Sequence, residues 1–246
     1  MNKEKKTLLI AVMALTTAAN VASARGNIDP VQDDECELEL LLGNMDYETI
    51  NLRTRAFAEY DECPNGVVTV NGQMHNSQLI TDDKEYEIKV HEMYNSLIKS
   101  YGGNDKISVG TGRKLGSMVD SVIFTHHGDD KIDLVNVKAC TVNAEDGDDE
   151  VYIAGKIYDL ELNMGRGDDR VVWKSDLPLK GENQIETTVI DMGPGIDQLQ
   201  LKGSQDDYEI KKSDDEIYIF HKLTRIRGLI VLKNCEKITF WQAYRP

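Results

Sequence analysis

The sequence predicts a mainly β protein: a parallel β-solenoid or β-roll of about five rungs, with a small N-terminal α+β cap and a C-terminal β cap. Two observations predict it. A Gly-acid-Asp motif recurs five times, and an apolar residue stands five positions before the Gly in every copy. Alternating apolar residues follow each motif, which is the period of a strand with one buried face. One such repeat cannot bury its apolar face alone, so neighbouring repeats must stack.

Residues 1–24 have the pattern of a secretory signal peptide that is removed. Three lysines lie within the first six residues, an apolar run follows over Leu8–Leu15, and Ala22-Ser23-Ala24 provides the small-residue cleavage site. The apolar run is too short to span a bilayer. We therefore expect a mature chain that begins near Arg25, does not insert into a membrane and is periplasmic, with an extracellular or outer-surface location as the alternative.

The chain is strongly acidic. Its 28 Lys and Arg against 43 Asp and Glu give a formal net charge of −15. Removing residues 1–24 takes away three lysines and one glutamate, so the net charge becomes −17. Such a surface repels nucleic acid and anionic lipid, and neither is an expected partner.

Four cysteines would enter an oxidising compartment with the exported chain. Cys36 and Cys63 both precede the repeats, and a disulfide between them would clamp a small N-terminal cap. Cys140 falls inside a repeat strand, where a buried free thiol is the ordinary state, and the pairing of Cys235 stays open.

The repeat defines the second half of the chain. In each motif the Gly permits a tight turn, and the Asp directly precedes the strand. The five motif aspartates are separated by 25, 19, 20 and 28 residues, and steps near 20 suit one rung of a narrow parallel solenoid. The copies run from Ile98 to Val109, from Ile123 to Leu134, from Val142 to Ile153, from Leu162 to Trp173 and from Ile190 to Leu201.

Stacking places equivalent carboxylates in columns about 4.8 Å apart. Two such charges repel by roughly 3 kcal/mol at an effective dielectric near 20. A bound cation would offset this, and hard oxygen ligands in irregular turns favour calcium. The alternative is that each Asp caps its own turn by accepting backbone N–H groups. The candidate calcium ligands are Asp129, Asp130, Asp148, Asp149, Asp168 and Asp169, followed by Asp105, Asp197 and Asp146.

The motifs resemble the hemolysin-type calcium-binding repeats of RTX proteins. Tyr101-Gly102-Gly103-Asn104-Asp105 and Met164-Gly165-Arg166-Gly167-Asp168-Asp169 come closest to that family's nonapeptide. The segments 207–210, 216–219 and 235–240 look like the strands that often follow such repeats. The resemblance covers roughly residues 100–242 and implies a parallel β-roll with calcium in its turns. One motif per rung, and the predicted signal peptide, depart from the family pattern.

The remaining regions complete a division into residues 25–99 as the N-terminal cap, 100–203 as the repeats and 204–246 as the C-terminal flank. Within the cap, Asn65-Gly66 followed by Val67–Val70 predicts a hairpin. Apolar residues between Lys84 and Lys99 have helical spacing and suggest a helix, although the repeat register makes Ile98 part of a strand.

Motifs of common catalytic sites are missing from the sequence: Gly-x-Ser-x-Gly, His-Glu-x-x-His and a P-loop do not occur. The adjacent His126 and His127 are expected to be surface residues. We therefore expect no enzyme but a structural or interaction protein of the bacterial cell envelope, which binds itself, up to the formation of filaments, or binds another envelope protein. A calcium-dependent surface adhesin or matrix protein is the alternative, and a polysaccharide-acting β-helix enzyme ranks third.

Overall fold

The computed structural model describes residues 7–12, 37–52, 65–110, 117–174, 187–222 and 229–241. Within these ranges the chain is mainly β, with one 3-10 turn at Gln205–Asp207 and no α-helix, hence no helix able to cross a membrane. In chain order the strands are β1 (Thr7–Val12), β2 (Glu37–Leu42), β3 (Met45–Asp46), β4 (Thr49–Asn51), β5 (Asn65–His75), β6 (Gln78–Ile80), β7 (Glu85–Tyr94), β8 (Leu97–Lys99), β9 (Lys106–Val109), β10 (Met118–Val119), β11 (Val122–Phe124), β12 (Lys131–Asp146), β13 (Glu150–Arg166), β14 (Arg170–Trp173), β15 (Thr187–Asp191), β16 (Gln198–Lys202), β17 (Tyr208–Ser213), β18 (Glu216–His221), β19 (Leu229–Lys233) and β20 (Lys237–Trp241).

A first ladder of parallel strands runs in the order β1–β2–β5–β7–β9–β12–β13–β14–β16–β20. From β5 onwards each strand pairs with its equivalent in the next repeat, as Lys131 does with Glu150 and Glu150 does with Arg170. β1 pairs with β2 along its whole length, from Thr7 opposite Glu37 to Val12 opposite Leu42. The predicted signal peptide therefore contains the strand at the start of this ladder.

Two further parallel ladders lie beside the first. The second runs β3–β5–β7–β10–β12–β13, and the third runs β4–β6–β8–β11–β12–β13–β15–β19. Because β12 and β13 are 16 and 17 residues long, each of them takes part in all three ladders. The sheet is thus largely parallel, with the same three-part path in successive repeats.

The core is made of apolar columns that cross the repeats. The residues five positions before each motif Gly are register partners in the third ladder and are all 0% exposed: Ile98, Ile123, Val142, Leu162 and Ile190. After the motif, burial alternates as expected, with Ile132 and Leu134 buried and Asp133 between them half-buried. The strand prediction for the motif regions is confirmed.

The helix predicted between Lys84 and Lys99 is wrong, because this segment forms β7 and β8. The chain bends between the two strands at Asn95, whose φ of 45° is left-handed. The bend lets Met93 and Ile98 face the core from two different ladders. Strand alternation interrupted by a corner therefore gives the apolar residues a spacing similar to that of a helix. The expected α+β cap has no helix in its described part.

The hairpin predicted at Asn65-Gly66 is also wrong. Residues Asn65–His75 form the single strand β5, which pairs in parallel with both β2 and β7. Parallel pairing thus begins well before the first Gly-acid-Asp motif, in repeats that lack the motif.

The C-terminal flank changes the strand direction. β18 pairs antiparallel with β19, the last strand of the third ladder, and β17 pairs antiparallel with β18. Ile219 of this hairpin is fully buried, and the ring of Tyr208 lies 5.6 Å from that of Phe240 in β20. The strands predicted over 207–210, 216–219 and 235–240 are confirmed apart from Asp207, which belongs to the 3-10 turn, and Cys235 and Glu236, which precede β20. The β17–β18 hairpin covers this end of the core.

Candidate functional site

The motif aspartates form an inner column inside the molecule. Each of them lies directly before a strand of the first ladder, and all are between 0% and 2% exposed: Asp105, Asp130, Asp149, Asp169 and Asp197. Each of them stands beside a turn whose other residues reach the surface. The alternation of the following strand explains the burial, because the motif Asp lies two residues before the first core residue of that strand, as Asp130 does before Ile132.

Every carboxylate in the inner column binds the backbone of the preceding repeat. Oδ1 of Asp130 accepts the N–H of Asp105 at 2.7 Å, and Oδ1 of Asp149 accepts the N–H of Asp130 at 2.8 Å. Asp169 and Asp197 continue the series with N···O distances of 2.8 Å. These bonds pair N–H groups that the turn leaves without a ladder partner, so the column ties each repeat to the next.

Both ends of the inner column have a different residue type. At the first end Asp105 accepts the N–H of Tyr86, a buried residue that takes the Asp position in a repeat without the motif. At the last end Glu236 replaces Asp, and its Oε2 accepts the N–H of Asp197 at 2.7 Å.

Burial shifts the acidity of the inner column. It raises the pKa of Asp105 and of Asp149 to about 8, and repulsion from neighbouring carboxylates adds to the effect. The pKa of Asp169 rises to about 7 and that of Asp130 to about 6 for the same main reason, and the pKa of Asp197 is also raised. Asp105 and Asp149 are therefore largely protonated near neutral pH, which lowers the repulsion expected from stacked charges.

The second oxygen of each inner carboxyl is enclosed. Oδ2 of all five motif aspartates is buried. The hydroxyls of Ser100 and Thr125 interact with the carboxyls of Asp105 and Asp130 and partly offset the rise of their pKa. Within the part of the chain that the structure describes, Oδ2 of the other three motif aspartates has no such partner. An ionised oxygen in that position would carry the full cost of desolvation. A protonated carboxyl carries a much smaller cost, which agrees with the raised pKa values.

An outer column runs beside the inner one. Asn104, Asp129, Asp148 and Asp168 are exposed, and the side chain of each accepts the N–H of its equivalent in the following repeat. The N···O distances lie between 2.8 and 3.0 Å. The series ends at Ile196, which is 73% exposed and has no oxygen with which to continue it. The outer column therefore points along the ladder in the direction opposite to the inner one.

The motif glycines allow the two columns to stack. Gly128, Gly147 and Gly167 have φ values of 127°, 146° and 142°, which disfavour any residue with a Cβ. A Cβ at Gly147 would overlap the carbonyl oxygen of Gly128, and one at Gly167 would overlap that of Gly147. The repeats thus approach closely at the motif because the Gly has no side chain.

The geometry of the two columns gives limited support to calcium binding. Among the described residues no group of three or more His, Cys, Asp or Glu side chains is placed to hold a metal ion. The inner aspartates have one oxygen bound to backbone N–H and the other enclosed, whereas calcium needs six to eight oxygen ligands. The inner column does not fit the ion. The outer aspartates each keep a second oxygen near solvent, and calcium there stays a prediction.

Asp146 lies apart from both columns, in an open cleft of about 450 Å³ beside the third ladder. Its Oδ2 lies 3.5 Å from Nδ1 of the exposed His127. His126 contradicts the expectation of a surface residue: its side chain is 20% exposed, stacks on Tyr101 and lies 2.6 Å from Glu145. The cleft is lined by Glu145, Asp146, Asn163, Gly165, Arg166, Asp191, Gly193, Pro194 and Asn234.

A serine column was not found by the sequence analysis. The N–H of Ser77 is accepted by Oγ of Ser96, and the N–H of Ser96 is accepted by Oγ of Ser121. Cys140 is next in line, buried and free, and its thiol donates to the carbonyl of Lys138 as Ser121 does to that of Val119. A search for small polar residues at the repeat spacing would have found it. Cys36 and Cys63, the predicted disulfide, lie outside the described residues.

No family model matches the chain, and no curated protein matches it. The resemblance to RTX repeats therefore stays a prediction.

Proposed function

We propose that this chain is a non-enzymatic exported protein of the bacterial cell envelope, a periplasmic β-solenoid scaffold that associates with copies of itself. The observation that carries the proposal is the use of the acidic motifs. Inner and outer carboxylates bind backbone N–H groups of adjacent repeats, so these residues stack the repeats and leave no reactive set. Three ladders with one register support a solenoid as the arrangement of those repeats.

A scaffold of this kind gains stiffness from its columns. The apolar, serine and carboxylate columns all cross the repeats and connect each repeat to its neighbours. Such a molecule presents a rigid surface with strand edges at its ends, and strand edges are the usual route to self-association.

One observation favours each of two alternative functions. The exposed aspartates of the outer column favour a calcium-dependent adhesin or matrix protein displayed outside the cell. The cleft beside the third ladder, with Glu145, Asp191 and Arg166 in its wall, favours an enzyme that acts on polysaccharide. Turnover of an acidic polysaccharide by the purified chain would establish the latter.

Sedimentation velocity on residues 25–246 tests the proposal, first in millimolar calcium and then in chelator. We expect species larger than a monomer in both buffers. Association only in calcium would favour the adhesin, and a compact monomer in both buffers would overturn the scaffold.

A further inference from the structure

We propose that self-association occurs at the N-terminal end, as a closed two-fold dimer that forms when residues 7–12 no longer cover β2. This inference rests on the proposed function and on the predicted removal of residues 1–24. The partner is a second copy of this chain, and the contact is an antiparallel pairing of the two β2 strands.

The edge of β2 already receives a strand in the full chain. β1 pairs with it in parallel along six residues, from Thr7 opposite Glu37 to Val12 opposite Leu42. All of β1 lies inside the predicted signal peptide. Cleavage would therefore expose the backbone N–H and C=O groups along one side of β2, and another strand can satisfy them.

At the opposite end the third ladder is capped. A further copy stacked head to tail would have to continue both the first and the third ladder. The third ladder is followed by β18 and β17, which run antiparallel to it, and Tyr208 of this hairpin packs against Phe240 of the last strand in the first ladder. The hairpin thus blocks continuous stacking, and association through the N-terminal end alone closes at two copies.

The register of β2 selects one pairing. Leu42 is buried and aligns with the buried Val70, whereas Leu41 is half-buried and aligns with Thr69, so the even-numbered register positions of β2 continue the interior column. Antiparallel strands place residues of the same face opposite each other. A two-fold axis at Glu39 would oppose two carboxylates, which is unfavourable. An axis at Leu40 instead opposes Glu39 with Leu41 of the second copy and keeps the apolar interior continuous.

Leu41 provides a matched pair of test variants. It is half-buried and faces outward in the register beside Thr69. At the proposed interface, Leu41→Glu places two like-charged pairs with Glu39, and Leu41→Lys places two opposite-charged pairs. With each cross-strand pair contributing a few tenths of a kcal/mol, we expect Leu41→Glu to raise the dimer dissociation constant about fivefold and Leu41→Lys to lower it about fivefold.

The experiment compares the full chain, the chain beginning at Arg25 and both variants of the latter by sedimentation velocity, with circular dichroism to confirm folding. We expect a monomeric full chain, a dimeric shorter chain and opposite shifts for the two variants. A monomeric shorter chain would overturn the proposed function together with this inference. Species larger than a dimer, an equally associated full chain, or equal effects of both variants would overturn this inference alone.

Discussion

Asp149 shows how the chain tolerates a stack of buried acids. It accepts the N–H of Asp130, and its own N–H is accepted by Asp169. Its side chain is thereby fixed between two repeats and is 1% exposed. Burial first, and then the charges of Asp130 and Asp169, raise its pKa to about 8. A group of this kind stabilises the fold as a hydrogen-bonding carboxylic acid and destabilises it as an anion.

The substitution Asp149→Asn separates these two effects. The amide keeps the acceptor oxygen and cannot ionise, so we expect Asp149→Asn to gain stability relative to the unaltered chain as pH rises from about 5 to about 9. Asp149→Ala cannot ionise either, but it leaves the N–H of Asp130 without an acceptor, so it should be less stable than Asp149→Asn by about 1–3 kcal/mol at both pH values. Urea denaturation measures both. A constant difference between Asp149→Asn and the unaltered chain would contradict the raised pKa.

At the level of residues, prediction succeeded where successive repeats have the same residue at the same motif position. The five motif aspartates and the apolar residues before them were identified by spacing. The turn-capping alternative was correct that backbone N–H groups are the donors, but wrong about the turn, because each Asp accepts an N–H of the preceding repeat and not one of its own turn. Glu236 was not identified as part of the column, because it follows Cys235 rather than a Gly-acid pair. The serine column was missed because Cys140 interrupts it and Ser is common in loops.

The turn that enters each strand depends on one Gly. At Gly167 the φ of 142° and the nearness of the Gly147 carbonyl oxygen both exclude a Cβ. We expect Gly167→Ala to lower the free energy of unfolding by about 2 kcal/mol or more, because the new Cβ must separate two stacked turns. Thermal unfolding measures the effect.

Gly43 supplies the control for this substitution. A Cβ at Gly43 would meet no atom within 4 Å, and the residue is exposed at the end of β2. Gly43→Ala should therefore change the free energy of unfolding by no more than about 0.5 kcal/mol. If both alanine variants melted at the same temperature, close approach at the motif would not limit stability.

At the level of elements, strands that follow a motif could be predicted and the corners could not. In each motif, Gly and Asp mark the start of the strand and alternating apolar residues follow, so β9, β12, β13, β14 and β16 were expected. The repeats before residue 100 have corners at Asn76 and Asn95 in the left-handed region, without a Gly to mark them. A corner shifts the alternation by one residue, and this is why residues 84–99 resembled a helix.

The whole molecule should lose stability as pH rises. Because the folded-state pKa values of the inner column lie above the usual value of Asp, the folded chain binds more protons than the unfolded chain between about pH 4 and pH 8. This stabilisation is complete below that window and disappears through it. We expect the melting temperature, measured by circular dichroism in chelator, to fall from about pH 5 to about pH 9.

Calcium gives the counter-test on the same molecule. If the ion occupied the carboxylate columns it would favour the ionised forms, so added calcium would raise the melting temperature most at high pH. We expect the fall in melting temperature with pH to be the same with calcium and with chelator, because the inner oxygens are bound or enclosed. A calcium-dependent rise that is larger at about pH 9 than at about pH 5 would assign the ion to the inner column and contradict protonation as the means of lowering its repulsion.

The direction of the inner hydrogen bonds has a consequence for synthesis. Each motif Asp completes the repeat made before it: Asp130 satisfies Asp105, and Asp149 satisfies Asp130. During vectorial emergence from a ribosome or a translocation pore, the newest repeat always carries an unsatisfied amide until its successor arrives. Growth by duplication of repeats meets the same condition at its last copy. In this chain Glu236 accepts the last of these amides, that of Asp197.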